Sequence, residues 1–298
     1  MVSKESLTFI FSLLQKESGL ILDSSKTYLV EARLEPIVAG AGLPSIDALC
    51  QHLRTHPGSP LRQSVVDAMA TNETSFFRDM IPFEVVKNVI LPGLLTTNQK
   101  SRQIRIWSAA CATGQEPYSL AMLLCTMKTM LEGWKVEILA TDLVERVLDR
   151  ARAGVYSQYE IQRGLPAPYM TRFFEQTDSN WRVKVEVKKW IEFRQLNLLS
   201  DFRFLGPFDI IFCRNILIYL DLPLKKAILE RMADCLTPNG MLFLGGGETS
   251  LGITDIFTRT EVDRAVYYKK NDGHSSRPLS LRPEVLGKGD GTSFQRKQ

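Results

Sequence analysis

Histidine is scarce in this chain: His52, His56 and His274 are the only three. His52 and His56 share a helical face at i, i+4 without a neighbouring acid or cysteine, so a solvated pair is expected and a metal site is not. The five cysteines, Cys50, Cys111, Cys125, Cys213 and Cys235, are odd in number and form no CxxC. That spacing excludes a zinc ribbon and a disulfide framework, and it is read as free thiols in a reducing cytoplasm. Neither sign of charge dominates, since 37 basic residues face 33 acidic ones for a net charge of +4. No nucleic-acid partner is therefore expected. No run reaches the roughly 18 apolar residues of a membrane span, which excludes membrane insertion by a helix. The opening stretch MVSKESLTFIFSLLQKESG has polar residues inside its apolar run. It reads as an amphipathic helix and not as a signal peptide.

Two regions follow from the patterning. Residues 1–70 carry helical stripes: Leu7, Ile10, Leu13 and Leu14 before Gly19, then Leu29, Val30, Leu34, Ile37 and Val38 before Gly40. A third helix starts after Ser45, a side chain suited to capping, and a fourth holds Leu61, Val65, Val66 and Met69. A small helical bundle is expected. Residues 71–99 form a linker with a helix, and Thr71-Asn72-Glu73-Thr74 resembles a helix start. From 100 to 270 strand-like and helix-like runs alternate. The strands fall at 104–107, 136–140, 190–193, 208–213 and 241–244. The helices fall at 118–130, 143–153 and 222–236, the last ended by Pro238-Asn239-Gly240. Strands with little polar alternation are covered on both faces. The runs 256–262 and 265–269, joined by Asp263-Arg264, read as a hairpin. Within 165–190, Trp181 to Lys189 alternates as a single period-2 strand and predicts a small antiparallel β-subdomain. Residues 271–298, rich in Gly, Ser, Pro and charge, are expected to be a flexible tail.

The most informative stretch is 104–120, IRIWSAACATGQEPYSL. A strand feeds a loop of small residues and then a helix, so a ligand can lie on bare backbone at a helix N-terminus. Ala112 and Gly114 are the positions that permit this approach. The next strand ends in Thr141-Asp142, and an acid there suits the hydroxyl pair of a ribose. Asp142 can also cap the helix that follows it. The loop lacks GxGxxG. Together with the terminal hairpin, this favours a Rossmann-like methyltransferase over a dinucleotide-dependent oxidoreductase.

Residues 72–78 (NETSFFR), 112–119 (ATGQEPYS), 140–142 (ATD), 197–198 (NL) and 212–219 (FCRNILIY) resemble the CheR-type chemoreceptor methyltransferases. The resemblance runs from about residue 5 to 270. It implies an α/β fold: a Rossmann-like class I methyltransferase sheet with a terminal antiparallel hairpin, a small antiparallel β-subdomain insertion and an all-α N-terminal domain. It implies transfer of a methyl group from S-adenosylmethionine to glutamates on the cytoplasmic domain of methyl-accepting chemoreceptors, leaving S-adenosylhomocysteine. The enzyme is expected to be a cytoplasmic monomer without a metal.

The resemblance also implies roles for single residues. Asn72 and Thr74 face the methionine end of the cofactor, and Glu116 its ammonium group. Asn197 and Leu198 read the adenine, while Arg214 and Asn215 stand at the carboxyl edge of the 208–213 strand, where ligands bind. Arg78 is the substrate-side arginine, also in reach of the cofactor, and Tyr219 lies near the point of methyl transfer. Two features depart from the family pattern. Relatives that tether to a receptor's C-terminal pentapeptide carry a glycine-containing loop where this chain has Glu175 to Asn180, short and without glycine. The second helix is not basic, since Lys26 and Arg33 stand against Glu31 and Glu35. Methylation without the pentapeptide is expected. The competing readings are a methyltransferase for another substrate and a cofactor-binding signalling module without activity.

Overall fold

The computed structural model describes residues 2–22 and 24–271. The expected tail, apart from Asn271, lies outside the described residues. Four helices open the chain: α1 (Lys4–Ser18), α2 (Thr27–Gly40), α3 (Ile46–Thr55) and α4 (Leu61–Met69). Gly19 ends α1 at φ 74°, a left-handed conformation that costs glycine little. The Ser45 hydroxyl accepts from Ala48 N–H and starts α3. The four helices close over Leu14, Leu34, Leu49, Leu53 and Val65, all buried.

Ten strands follow: β1 (Gln103–Ala109), β2 (Lys135–Asp142), β3 (Val155–Ser157), β4 (Phe174–Thr177), β5 (Asn180–Val183), β6 (Ile191–Gln195), β7 (Phe208–Cys213), β8 (Leu236–Leu244), β9 (Phe257–Val262) and β10 (Ala265–Lys270). The main sheet has the order β6-β2-β1-β7-β8-β10-β9. β10 runs antiparallel to β8 and pairs with β9, while the other neighbours are parallel. The β9–β10 turn places Asp263 at φ 49° and Arg264 at φ 69°, as a two-residue hairpin requires. The parallel strands put all their carboxyl ends along one edge, and the order switches between β1 and β7. Ligands bind in the crevice at such a switch. No helix among the described residues is long and apolar enough to cross a membrane.

Three expectations need correction. The run from Trp181 to Lys189 is not one strand. β5 stops at Val183, and Val185–Lys188 is a turn of helix. Val187 is fully buried while Val185 is 80% exposed, which one face of a strand does not allow. The Val187 side chain is recruited into the core under helix Gln115–Thr126. The β-subdomain is still antiparallel, with order β3-β5-β4, but it draws in Val155–Ser157 from before residue 165. Second, Pro238-Asn239-Gly240 does not end the preceding helix, which stops at Asp234. The tripeptide lies inside β8 at a register slip opposite β7, where a Cβ on Gly240 would meet Phe208 O at 3.0 Å. Third, residues 71–75 do not start a helix. They carry no regular structure and lead into a tight turn at 76–79, and the helical stretch begins at Ile81.

Candidate active site

A cleft opens at the carboxyl edge of the sheet, roofed by the N-terminal helices. It is lined by Asn72, Thr74, Arg78, Ala112, Glu116, Asp142, Asn197, Leu198, Arg214, Asn215 and Tyr219, with Ser18 and Leu20 from the helical domain. Eleven of the twelve residues singled out in the sequence therefore meet in one place. Gly114 does not line it. Its φ is 94°, and a Cβ there would meet Ala151 Cβ at 2.9 Å and Tyr156 Oη at 3.2 Å. Packing behind the loop therefore requires the glycine in its own right.

At the end of β2, Asp142 is held by main chain. Its Oδ2 accepts from Ala112 N–H at 2.9 Å and its Oδ1 from Val144 N–H at 3.0 Å. The first bond crosses from β2 to the small-residue loop, and the second caps the following turn. Each oxygen keeps a second lone pair for a ligand donor. Burial pushes the carboxyl up from its ordinary value, and the backbone donors only partly offset it.

The acid at the start of helix Gln115–Thr126 is held by side chains. Glu116 Oε1 accepts from Ser108 Oγ at 2.7 Å and Oε2 from Arg214 Nη1 at 3.2 Å. Burial raises its pKa, against the pull of Arg214 and Ser108. Arg214 is the hub of this wall, its side chain only 2% exposed. Its Nη2 donates to Asp79 Oδ2 at 2.6 Å and to Arg78 O at 3.0 Å. Its Nε is buried without a hydrogen-bond partner among the described residues. Sequence reasoning placed Arg214 against the cofactor. In the structure its guanidinium is engaged by the protein's own acids, because Asp79 and Glu116 flank it.

The turn that carries Arg78 is conformationally unusual. Phe77, Asp79 and Met80 have φ of 47°, 64° and 34°, a region that side chains with a Cβ rarely occupy. The turn is fixed from below by Phe77 N–H donating to Ser119 Oγ at 2.9 Å and from the side by Arg214. The Arg78 guanidinium donates to Glu73 O at 3.2 Å and is half-buried at the cleft.

Asn197 lines the cleft, but its amide is engaged by the protein itself. Its Nδ2 donates to Glu17 O at 2.7 Å and its Oδ1 accepts from Leu199 N–H at 2.9 Å. The amide stitches the helical domain to the strand edge, which leaves Leu198 as its neighbour in the lining. Tyr219 sits in a short 3₁₀ turn whose carbonyl accepts from Ile21 N–H at 2.9 Å. Its hydroxyl has no hydrogen-bond partner among the described residues.

One carboxylate escaped sequence reasoning. Glu248, after three glycines at the end of β8, accepts from the N–H of Asn215, Gly245 and Ile218. An acid just past the last parallel strand was the available signal. Cys111 also lines the cleft, but burial drives its thiol well above the ordinary range, so it stays protonated and is no nucleophile.

The donors and acceptors suit one ligand class. Two buried carboxylates can take the hydroxyl pair of a ribose and the ammonium of an amino acid. Comparison with known proteins agrees. The family description "CheR methyltransferase, all-alpha domain" matches residues 5–70, and "CheR methyltransferase, SAM binding domain" matches residues 72–266. Chemotaxis protein methyltransferase 1 of Pseudomonas aeruginosa is 43% identical over 260 residues, covering 86% of this chain and 94% of that one. Chemotaxis protein methyltransferase Cher2 of Pseudomonas putida is 40% identical with the same coverage. Chemotaxis protein methyltransferase 1 of Vibrio cholerae is 41% identical over 86% of this chain and 93% of its own. With the two domain descriptions matched in succession over residues 5–70 and 72–266 and the buried carboxylates gathered at the switch point, the chain belongs to the CheR methyltransferase family and is an S-adenosylmethionine-dependent methyltransferase.

Proposed function

We propose that this chain methylates glutamate side chains on the cytoplasmic domain of methyl-accepting chemoreceptors, forming γ-glutamyl methyl esters, and that it works as a cytoplasmic monomer without needing a receptor C-terminal pentapeptide. The observation that carries this reading is the meeting of Glu116 and Asp142 with Arg78 and Tyr219 in one cleft. The names of the relatives support the receptor as substrate.

S-adenosylmethionine, when bound, supplies an electrophilic methyl group on a sulfonium. The residues of the chain then have to bind, orient and exclude water. Asp142 accepts from the ribose hydroxyls and Glu116 holds the ammonium. Asn72, Thr74, Ala112, Leu198 and Asn215 shape the walls around them. A glutamate substrate is ionised at neutral pH, with a reference pKa near 4.3. It needs no general base. Arg78 holds one substrate carboxylate oxygen so that the other faces the methyl group. A tight bidentate grip would blunt the nucleophile, so a single contact is the better arrangement. Tyr219, whose hydroxyl has no partner among the described residues, orients the same carboxylate. The work is orientation, which can supply several kcal/mol.

Independence from the pentapeptide rests on the β4–β5 connection. It turns on Asp178-Ser179 with Asp178 at φ 47°, a hairpin too short to offer a further loop. The second helix gives no basic face to dock a receptor either, since Arg33 is spent on Met69 O and Ala70 O at 2.8 and 3.2 Å.

Radiolabelled S-adenosylmethionine incubated with receptor-bearing membranes tests the reading. Base-labile label should appear on the receptor band, equally with a receptor lacking its last residues. Arg78→Ala should lower turnover about 10- to 100-fold, the equivalent of one or two charge-assisted bonds, with S-adenosylhomocysteine affinity nearly unchanged. Absence of label on any receptor overturns the substrate assignment. Loss of label on the truncated receptor overturns pentapeptide independence alone.

A further inference from the structure

We infer that Glu248 is a positioning residue of this enzyme: its carboxylate is a staple that sets the loop carrying Arg214, Asn215 and Tyr219. The relevance to methyl transfer rests on the function proposed above; the staple itself does not. β7 and β8 are parallel neighbours, and each ends in a loop that leaves the sheet. Asn215 and Ile218 lie just past β7, where strand pairing no longer supplies acceptors for their N–H groups. Glu248 supplies them. Its Oε2 accepts from Asn215 N–H at 2.7 Å and from Gly245 N–H at 2.7 Å, while Oε1 accepts from Ile218 N–H at 3.2 Å. The Glu248 N–H closes the turn on Gly245 O at 2.9 Å. One carboxylate side chain thus joins both loops through three hydrogen bonds from backbone N–H groups.

The surroundings show that this is a fitted seat. Asn215 is held at φ 60°, a left-handed conformation that Asn tolerates best among residues with a Cβ. A Cβ on Gly245 would meet Asn215 Nδ2 at 2.6 Å and Glu248 Oε2 at 2.8 Å, whereas Gly246 and Gly247 have open space around them. Of the three glycines, only Gly245 would crowd its neighbours with a Cβ, and the atoms it would crowd belong to the staple and its partner. Glu248 does not line the cofactor cleft, whereas Asn215 and Tyr219 do. Its influence on the reaction therefore passes through the loop.

Amide hydrogen exchange tests the staple without any substrate. In Glu248→Ala the amides of Asn215, Gly245 and Ile218 should exchange at least about tenfold faster, while Ile106 and Ile138 in the centre of the sheet keep their protection. Glu248→Gln is the milder variant should the alanine protein fold poorly. Its single carbonyl can keep the two short bonds, so only Ile218 should open. Unchanged protection in both variants overturns the staple. A double-mutant cycle then tests the coupling. Glu248→Ala and Tyr219→Phe should each lower turnover, but the double variant should fall no further than the worse single one, because both act through one loop. A general loss of stability would multiply the two defects, and that result, or full turnover in Glu248→Ala, overturns the positioning role. If no receptor is methylated even by the unmodified enzyme, the substrate reading fails while the exchange result still decides the staple.

Discussion

The ends of β2 and β7 both bring charge into one cleft, and they do it by different means. At β2, Asp142 is held by backbone N–H groups from two segments. At β7, Arg214 is held by the side chains of Glu116 and Asp79 and by a single carbonyl. A backbone-held acid has partners that no substitution except proline can delete. A side-chain network fails when one member is removed, and every buried member left behind becomes an uncompensated charge. The first arrangement gives a fixed acceptor for a ligand. The second lets charge on the cofactor side communicate with the turn that carries Arg78.

Removing the hub should produce the largest effect. Arg214→Met keeps volume but leaves Glu116 buried beside Ser108 alone. Breaking a buried pair in this way costs about 3–5 kcal/mol, measurable as a lower urea midpoint with unchanged slope. The deficit has a pH signature. A carboxyl whose folded pKa is raised favours folding below its unfolded value, and that contribution disappears as the pH rises through the folded one. Glu116 is already raised by burial, and loss of Arg214 raises it further. The variant should be less impaired at pH 5 than at pH 8, and an equal deficit at both would show that the two walls do not differ as argued.

Next in size is the backbone-held wall. Asp142→Ala should weaken S-adenosylhomocysteine binding by about 1.5–3 kcal/mol, the worth of a charge-assisted bond, with a smaller loss of stability. Calorimetric affinity equal to that of the unmodified protein would remove Asp142 from the cofactor site.

The smallest effect is on the pH dependence of binding. An ammonium ligand requires Glu116 ionised. Since burial lifts its pKa, affinity should begin to fall on acidification at a higher pH than an ordinary carboxylate would give. Glu116→Gln should bind more weakly at pH 7 but lose that part of the slope. An identical slope in the variant would assign the titration to another group.

Much of the molecule was legible because local signals and tertiary needs agreed. Gly19 and Ser45 mark helix ends by their own conformational and hydrogen-bonding preferences. Asp263-Arg264 sits between two apolar runs as a hairpin turn. The misreadings came where burial overrode a local pattern. Val183, Val185 and Val187 alternate on paper, but Val187 packs under a helix and bends the chain out of β structure. Asn72 and Thr74 suit helix caps, yet the Phe77–Met80 turn is dictated by Ser119 and Arg214, residues remote in sequence. Gly114 sat in a ligand-binding motif, and only the position of Ala151 shows that packing also requires it.

The sequence by itself determined the two-region plan, the parallel sheet with its terminal hairpin, and which residues gather at the strand ends, because periodicity, caps and strand–loop–helix motifs are local properties. Tertiary structure alone decided the partners: that Asp142 is gripped by main chain, that Arg214 balances Glu116 and Asp79, that Asn197 ties down the helical domain, and that Glu248 staples two loops. Each of these is a hydrogen bond between segments distant along the chain, and such a bond has no local pattern, only a distance that folding sets.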